Sequence, residues 1–288
     1  MANTTKKPTN APAATKGQSN KAVATKNEQL LAVADFDMSQ YAGGGMENTD
    51  RDSFAIPFLA IAQKMSPQVD KDDDRYVSGL ETGDLFLTAT NEIFKDEEGV
   101  NVVFCGFRRS FLRWAPRDSG GGFKGEMTAD AVAAQRATGE IKDVEGKLFA
   151  DNGDLIRDTR IHYVMVVRED GSFTPAVVSC ASTQIKKSKM LLTQLKTYVK
   201  KTEGGKAYTP PTFGHVFHVE TNAEQNDQGS WRGWKFTRVG DVTNKELFEA
   251  CQLFSEQAAQ NAVRVDHNAD AMSAGGGSTD SDDSANGF

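Results

Sequence analysis

The segment FCGFRRSFLRWAPR, residues 104–117, alternates aromatic and guanidinium side chains, the two kinds of group that a surface needs to hold a single-stranded nucleic acid. Rings stack on unpaired bases and cations hold the phosphates. In a strand, the two-residue period sets Phe107, Arg109, Phe111 and Arg113 on one face and Arg108, Leu112 and Trp114 on the other. The same pattern suits a core strand with arginines at its rim, because periodicity does not separate a core ring from a stacking ring. A second cluster, GSWRGWKF, carries Trp231, Arg232, Trp234 and Lys235, with the two indoles on opposite faces, one for a core and one for a platform. A third lies after Cys180, where Lys186, Lys189, Lys196 and Lys200 share a helical stripe and no acid occurs before Thr202. A lysine stripe is usually a solvated face, but one without facing acid also suits a phosphate backbone.

Other residue groups point away from catalysis. Gly120 to Gly122 lack the Gly-Lys-Ser/Thr ending of a phosphate loop and read as a flexible turn. His215 and His218 fall on opposite faces of a strand, with no third ligand spaced to complete a zinc site. Asp130, Glu140 and Lys142 carry the residue types of a metal-dependent nuclease but lie in a polar stretch without a buried strand to hold them. The run DKDDDR lacks the spacing of a calcium loop. The expectation is a non-enzymatic protein without metal or cofactor.

The elements that would position these groups are mostly strands. GDLFLTATNEIF, VNVVFCGFRRSFLRW, IHYVMVVRED, SFTPAVVSC, FGHVFHVETN and SWRGWKFTRV are rich in β-branched and aromatic residues and are bounded by turn residues. The interval 115–160 reads as an insertion with a short alanine-rich helix near Ala129 to Ala137. A helix after Cys180 places Ile185, Leu192, Leu195 and Val199 on one face. A second helix opens on a capping box of Thr243 and Glu246, with a staple of Val242 on Leu247, and lines up Leu247, Cys251, Phe254 and Ala258. This pattern predicts a mainly β fold with minor α content: an elaborated OB-like antiparallel β-barrel over residues 50–264, with flanking helices and disordered ends at 1–49 and 265–288.

The net charge of −7 argues against a phosphate partner until its distribution is read. Five lysines and no acid precede Glu28, whereas five aspartates and no lysine or arginine follow Arg264. Part of the acid is therefore held off the fold. Cys105, Cys180 and Cys251 lie far apart in apolar segments and read as reduced core thiols. No apolar run is long enough for a membrane span and no secretory signal opens the chain, so a cytoplasmic protein without a membrane partner is expected.

The chain ends GGGSTDSDDSANGF, a glycine-rich stretch followed by Asp280, Asp282, Asp283 and a terminal Phe288. Together with the basic and aromatic strands, this tail resembles that of bacterial and bacteriophage single-stranded DNA-binding proteins, including those of T7-like phages. The resemblance implies an OB-fold that coats single-stranded DNA in replication and recombination, and a tail whose acids and last ring recruit replication or recombination proteins. It places an encoded phage protein in the host cytoplasm and leaves a homo-oligomeric state open. A strand-annealing recombination protein and a virion or scaffold component are the two alternatives.

Overall fold

A computed structural model of the 288-residue chain describes residue 1 and residues 39–49, 53–116, 121–227, 229–261, 263 and 265–268. The chain divides into two units, Met1–Arg51 and Asp52–Phe288. In the first, a 3-10 turn at Ser39–Tyr41 leads into further turns, closed by hydrogen bonds from Ala42 N–H to Ser39 O and from Gly44 N–H to Tyr41 O.

The second unit runs β1 (Leu59–Ile61), β2 (Leu85–Leu87), β3 (Ile93–Phe94), β4 (Val100–Trp114), β5 (Phe123–Met127), α1 (Ala129–Thr138), β6 (Ile141–Val144), β7 (Lys147–Ala150) and β8 (Leu155–Val167). It continues through β9 (Phe173–Ala181), α2 (Ile185–Thr197), β10 (Lys200–Lys201), β11 (Ala207–Tyr208), β12 (His215–Asn226), β13 (Gly229–Asp241) and α3 (Lys245–Ala259). The fold is mainly β. Its strands form sheets of three, two and eight strands, the largest in the order β13-β12-β4-β8-β7-β6, with β5 also on β4 and β9 also on β8. None of these sheets closes on itself, so the expected barrel is replaced by an open antiparallel sheet.

The reason lies in β4 and β8, which outrun their neighbours. One edge of β4 pairs with β12 over Val100 to Val103 and with β5 over Phe111 to Trp114. The far edge of β8 is likewise shared, by β9 over Thr159 to Val167 and by β7 at Leu155 and Ile156. Residues 115–160, read from the sequence as an insertion, thus supply β5, β6, β7 and the start of β8 to the same sheet. The outer edge of β13 is met at Arg232 by the Gln63 side chain, whose Nε2 donates to the carbonyl at 2.8 Å and whose Oε1 accepts from the N–H at 2.9 Å. A bonded side chain covers that part of an edge that would otherwise invite another strand.

Both faces of the β4–β8 ladder are buried at the β12 end. On one face Val102, Phe104, Val164, Val166 and Val178 pack with Leu191 and Leu195 of α2 and with Leu85, Phe217 and Trp234. On the other, Val103, Cys105, Ile161, Tyr163 and Met165 meet Leu247, Cys251, Phe254 and Ala258 of α3. Burial on both sides explains the near-continuous apolar run VNVVFC. All three cysteines are buried free thiols.

The α3 face is the one its sequence period predicts, although Asn244, not Thr243, is the N-cap: its Oδ1 accepts from Leu247 N–H at 3.1 Å. The α2 helix ends at Thr197, and Val199 is exposed where the sequence placed it on the apolar face. Gly106 lies under α3, where an added Cβ would stand 3.2 Å from that of Ala258. Phe254, buried and edge-on to Tyr163 with ring centroids 6.0 Å apart, anchors this contact. Phe254→Ala is expected to cost about 3–5 kcal/mol, read as a lower urea midpoint with an unchanged denaturant slope.

Candidate nucleic-acid interface

A β-bulge sets the geometry around Phe107. Phe104 stands opposite Val164 and Gly106 opposite Tyr163, so Cys105 is the extra residue on β4. The bulge reverses the alternation and puts Phe107 on the same face as Phe104, both rings against His162 at 5.2 and 5.5 Å. From there Arg109 and Phe111 continue that face, the Arg109 guanidinium 4.8 Å above the Phe111 ring. Arg108 lies on the other face, 6.0 Å from Tyr163.

Of these residues Phe107 is the exposed ring, at 40%. Phe111 is buried with Val132, Ile141 and Ile156, and Trp114 is half-buried against Phe123. The strand arginines are already partnered. Arg109 forks onto both oxygens of Asp158 at 3.2 and 2.6 Å, Arg113 meets Asp154 at 2.6 Å, and Arg108 meets Glu126 at 2.9 Å. In the β12–β13 hairpin Arg232 pairs with Asp96 and Lys235 with Glu220, each at 2.8 Å. Trp234 is buried, its Nε1–H directed at Ser179 O, whereas half-buried Trp231 donates to Glu224 at 2.9 Å.

The α2 stripe divides in the same way. Lys200 is bound to Asp241 at 2.5 Å. Lys186, Lys189 and Lys196 are exposed and make no ion pair among the described residues. Nearby, the β10–β11 hairpin adds exposed Lys201, Lys206 and Tyr208, a basic and aromatic wing that is not among the clusters read from the sequence. The spacing K-A-Y after the glycines was the available signal.

Between α2 and β13 runs a groove. Its wider part, a cleft of about 420 Å³, is lined by Gln194, Leu195, Tyr198, His215, Phe236 and Arg238 among others. A smaller hollow of about 140 Å³, lined by Lys187, Met190, Trp234 and Lys235, shares Gln194 and Phe236 with it. Phe236 stacks on Trp234 at 5.9 Å with the planes 14° apart, giving the groove an aromatic floor. Tyr198, Phe236 and Arg238 are residues that sequence reasoning missed, and His215 one that it weighed only as a metal ligand, since the four meet only when α2 crosses the hairpin.

Residues 25–264 match the model of a family described as Pam3 phage gp34-like protein. The chain belongs to that family. No curated protein and no solved structure matches it. The span shared with this phage family takes in every strand and helix named above. Asp280, Asp282, Asp283 and Phe288 lie beyond it and outside the described residues. Val265 to Asn268, which the sequence assigned to the tail, are held on the fold: His267 is buried between Phe58 and Phe123 and bonds Glu126 at 2.8 Å. Lys142 pairs with Asp151 at 2.7 Å, and no group of three or more His, Cys, Asp or Glu suited to a metal occurs among the described residues. Among those residues no helix is long and apolar enough to cross a membrane.

His162 joins Phe107 to α2, its Nε2 lying 2.8 Å from the buried Ser188 hydroxyl. Burial, reinforced by the Arg160 charge, pushes its pKa down to about 3. The imidazole is therefore neutral when folded and protonates near its ordinary value of about 6.5 when unfolded. Stability from this group is full above pH 6.5 and is lost as the pH falls toward 3, because the unfolded chain binds the extra proton there. Urea titrations between pH 7 and 4 should show this slope in the wild type, and His162→Gln should flatten it.

Proposed function

We propose that this member of a phage protein family is a non-enzymatic single-stranded DNA-binding protein, with the strand running along the groove between α2 and β13. The observation that carries the reading is an aromatic floor, Phe236 with Tyr198 beside it, in a groove walled by α2, a helix whose exposed Lys186, Lys189 and Lys196 make no ion pair among the described residues. Counterion release onto free cations supplies affinity, and rings supply sequence-tolerant stacking. A phosphate competes poorly for Arg109 or Arg113, because it must displace a bonded carboxylate. Phe107 extends the surface at the start of α2. The protein would act in replication or recombination in the host cytoplasm, its acidic tail and Phe288 recruiting partner proteins.

A second reading as a virion or scaffold component is favoured by the internal pairing of the strand arginines, which makes the sheet rim a pre-neutralised surface suited to packing. Binding separates the two. The expected result is a mobility shift of a dT oligonucleotide at moderate salt with weaker binding to duplex; no shift, or equal affinity for both, sinks the DNA reading. A strand-annealing role would add faster pairing of complementary strands. Replacing Lys186, Lys189 and Lys196 by alanine should flatten the plot of log affinity against log salt by about two, at about 0.7 per lost phosphate contact.

The four aspartates of residues 269–288, Asp270, Asp280, Asp282 and Asp283, compete for the same lysines if the tail reaches them. Removing residues 269–288 should therefore strengthen dT binding at low salt and change it little at high salt, where the charges are screened. Phe288→Ala should leave DNA affinity intact and abolish capture of a replication partner in a pull-down. Unchanged results in both assays reduce the tail to a solvating end.

A further inference from the structure

We infer that the β10–β11 hairpin is an arm that lies across a single strand at the Tyr198 end of the groove, with Tyr208 stacked on a base and Lys206 on a phosphate. The inference rests on the single-strand reading above and adds to that site a part it does not include.

The hairpin has no core of its own. Residues 201–209 are all exposed, and among the described residues the two strands pair only with each other, Lys200 opposite Tyr208 and Lys201 opposite Ala207. A lone two-stranded hairpin is marginally stable in water, so this ribbon is held by its ends and by whatever it meets. Its turn is tight. Gly205, at φ +80°, donates its N–H to Thr202 O at 2.9 Å, and Thr202 N–H donates to Lys206 O at 2.9 Å, which sets Thr202 opposite Lys206.

Alternation then fixes the direction of each side chain. Lys200, Thr202, Lys206 and Tyr208 share one face, and Lys201 takes the other. The shared face is turned to the end of β13, because the Lys200 ammonium bonds Asp241 at 2.5 Å. Asp241 also takes Arg238 at 2.6 Å and His215 at 3.1 Å, two residues that line the wide cleft. The Asp241 bond holds the Lys200 pKa above its ordinary value, and the hydroxyls of Tyr198 and Tyr208 are both near enough to act on it in the same direction. Tyr198 lines the cleft as well. Tyr208, 44% exposed, therefore presents its ring beside the Tyr198 end of the groove.

The occupant follows from the residue types. With Lys200 bound to Asp241, the hairpin keeps Lys201 and Lys206 against one acid, Glu203 at the turn, and it follows directly on α2 with its unpaired Lys186, Lys189 and Lys196. Ala207 and Tyr208 are the apolar side chains among residues 200–208. Protein interfaces are depleted of Lys and Glu, so this composition suits a second copy poorly. A single strand meets both features, a ring for a base and amines for phosphates.

The test uses the full chain, a dT 15-mer and the same strand carrying 5-iodouracil. Ultraviolet light should crosslink the iodinated strand to Tyr208, read by mass spectrometry of the peptides, and bound dT should protect Lys201 and Lys206 from trypsin. Tyr208→Ala should weaken dT binding about five-fold or more with an unchanged salt slope, and Tyr208→Phe should restore it. Lys206→Ala should flatten the plot of log affinity against log salt by about 0.7. Both side chains are exposed, so neither change disturbs the core. No crosslink at Tyr208, with both alanine variants binding as wild type, overturns the arm and leaves the groove reading in place. So does a Tyr208→Ala protein that binds dT normally but loses self-association, which assigns the hairpin to a second copy. Failure of the wild type to bind dT overturns both.

Discussion

The register between β4 and β8 runs unbroken on either side of one bulge, from Asn101 opposite Val167 to Trp114 opposite Leu155. Each strand is too long for a single outer neighbour. The surplus is taken up by different partners at the two ends, so the sheet forks around a common ladder and has no pair of edges placed to close a barrel. A closed barrel has no edge strands, whereas this sheet ends at β13 and β6. The apolar surface is buried by helices instead, α2 with one face and α3 with the other.

The bulge at Cys105 governs what the ladder presents. An added residue shifts the side-chain phase, so Phe107 and Arg109 lie on the face that Phe104 begins rather than on the opposite one. Beneath α3, the same break leaves Gly106, where the close approach of Ala258 favours a residue without a side chain. Cys105 and Cys251 meet in that interior, and burial pushes the Cys105 thiol pKa well above its usual value. The thiol behaves there as a small apolar group.

Charge is arranged by position more than by sum. Along the strands, carboxylates lie opposite or beside the arginines: Asp158 takes Arg109 and Arg160, and Glu126 takes Arg108 together with Ser110 and His267. Burial acts to raise the Glu126 pKa, yet the bonds from His267 and Ser110 and the Arg108 charge hold it below the ordinary value. Helix α2 has no acid of its own, and its outward lysines are left to solvent. An overall excess of acid is compatible with a basic surface because much of that acid is spent inside ion pairs, and part lies in residues 269–288.

The amino-acid sequence by itself determined the local elements: the strands with their β-branched runs, the α1 segment, and the buried stripe of α3. These follow from nearest-neighbour sterics and hydrophobic period, which a chain carries wherever it lies. It also put Arg109 and Phe111 on one face, because alternation is local to the strand. Whether the sheet closed was decided by tertiary structure, since strand length matters only against the partners found. The same holds for Phe111 as core and Phe107 as surface, a choice made by α1 covering one ring and leaving the other. Free and neutralised cations looked alike in sequence: Asp158 lies 49 residues from Arg109 and Asp96 far from Arg232, and only folding brings them within bonding distance. The cleft is the clearest case. Tyr198, His215, Phe236 and Arg238 come from three segments with no shared motif, and they form one surface because α2 is packed across the β12–β13 hairpin.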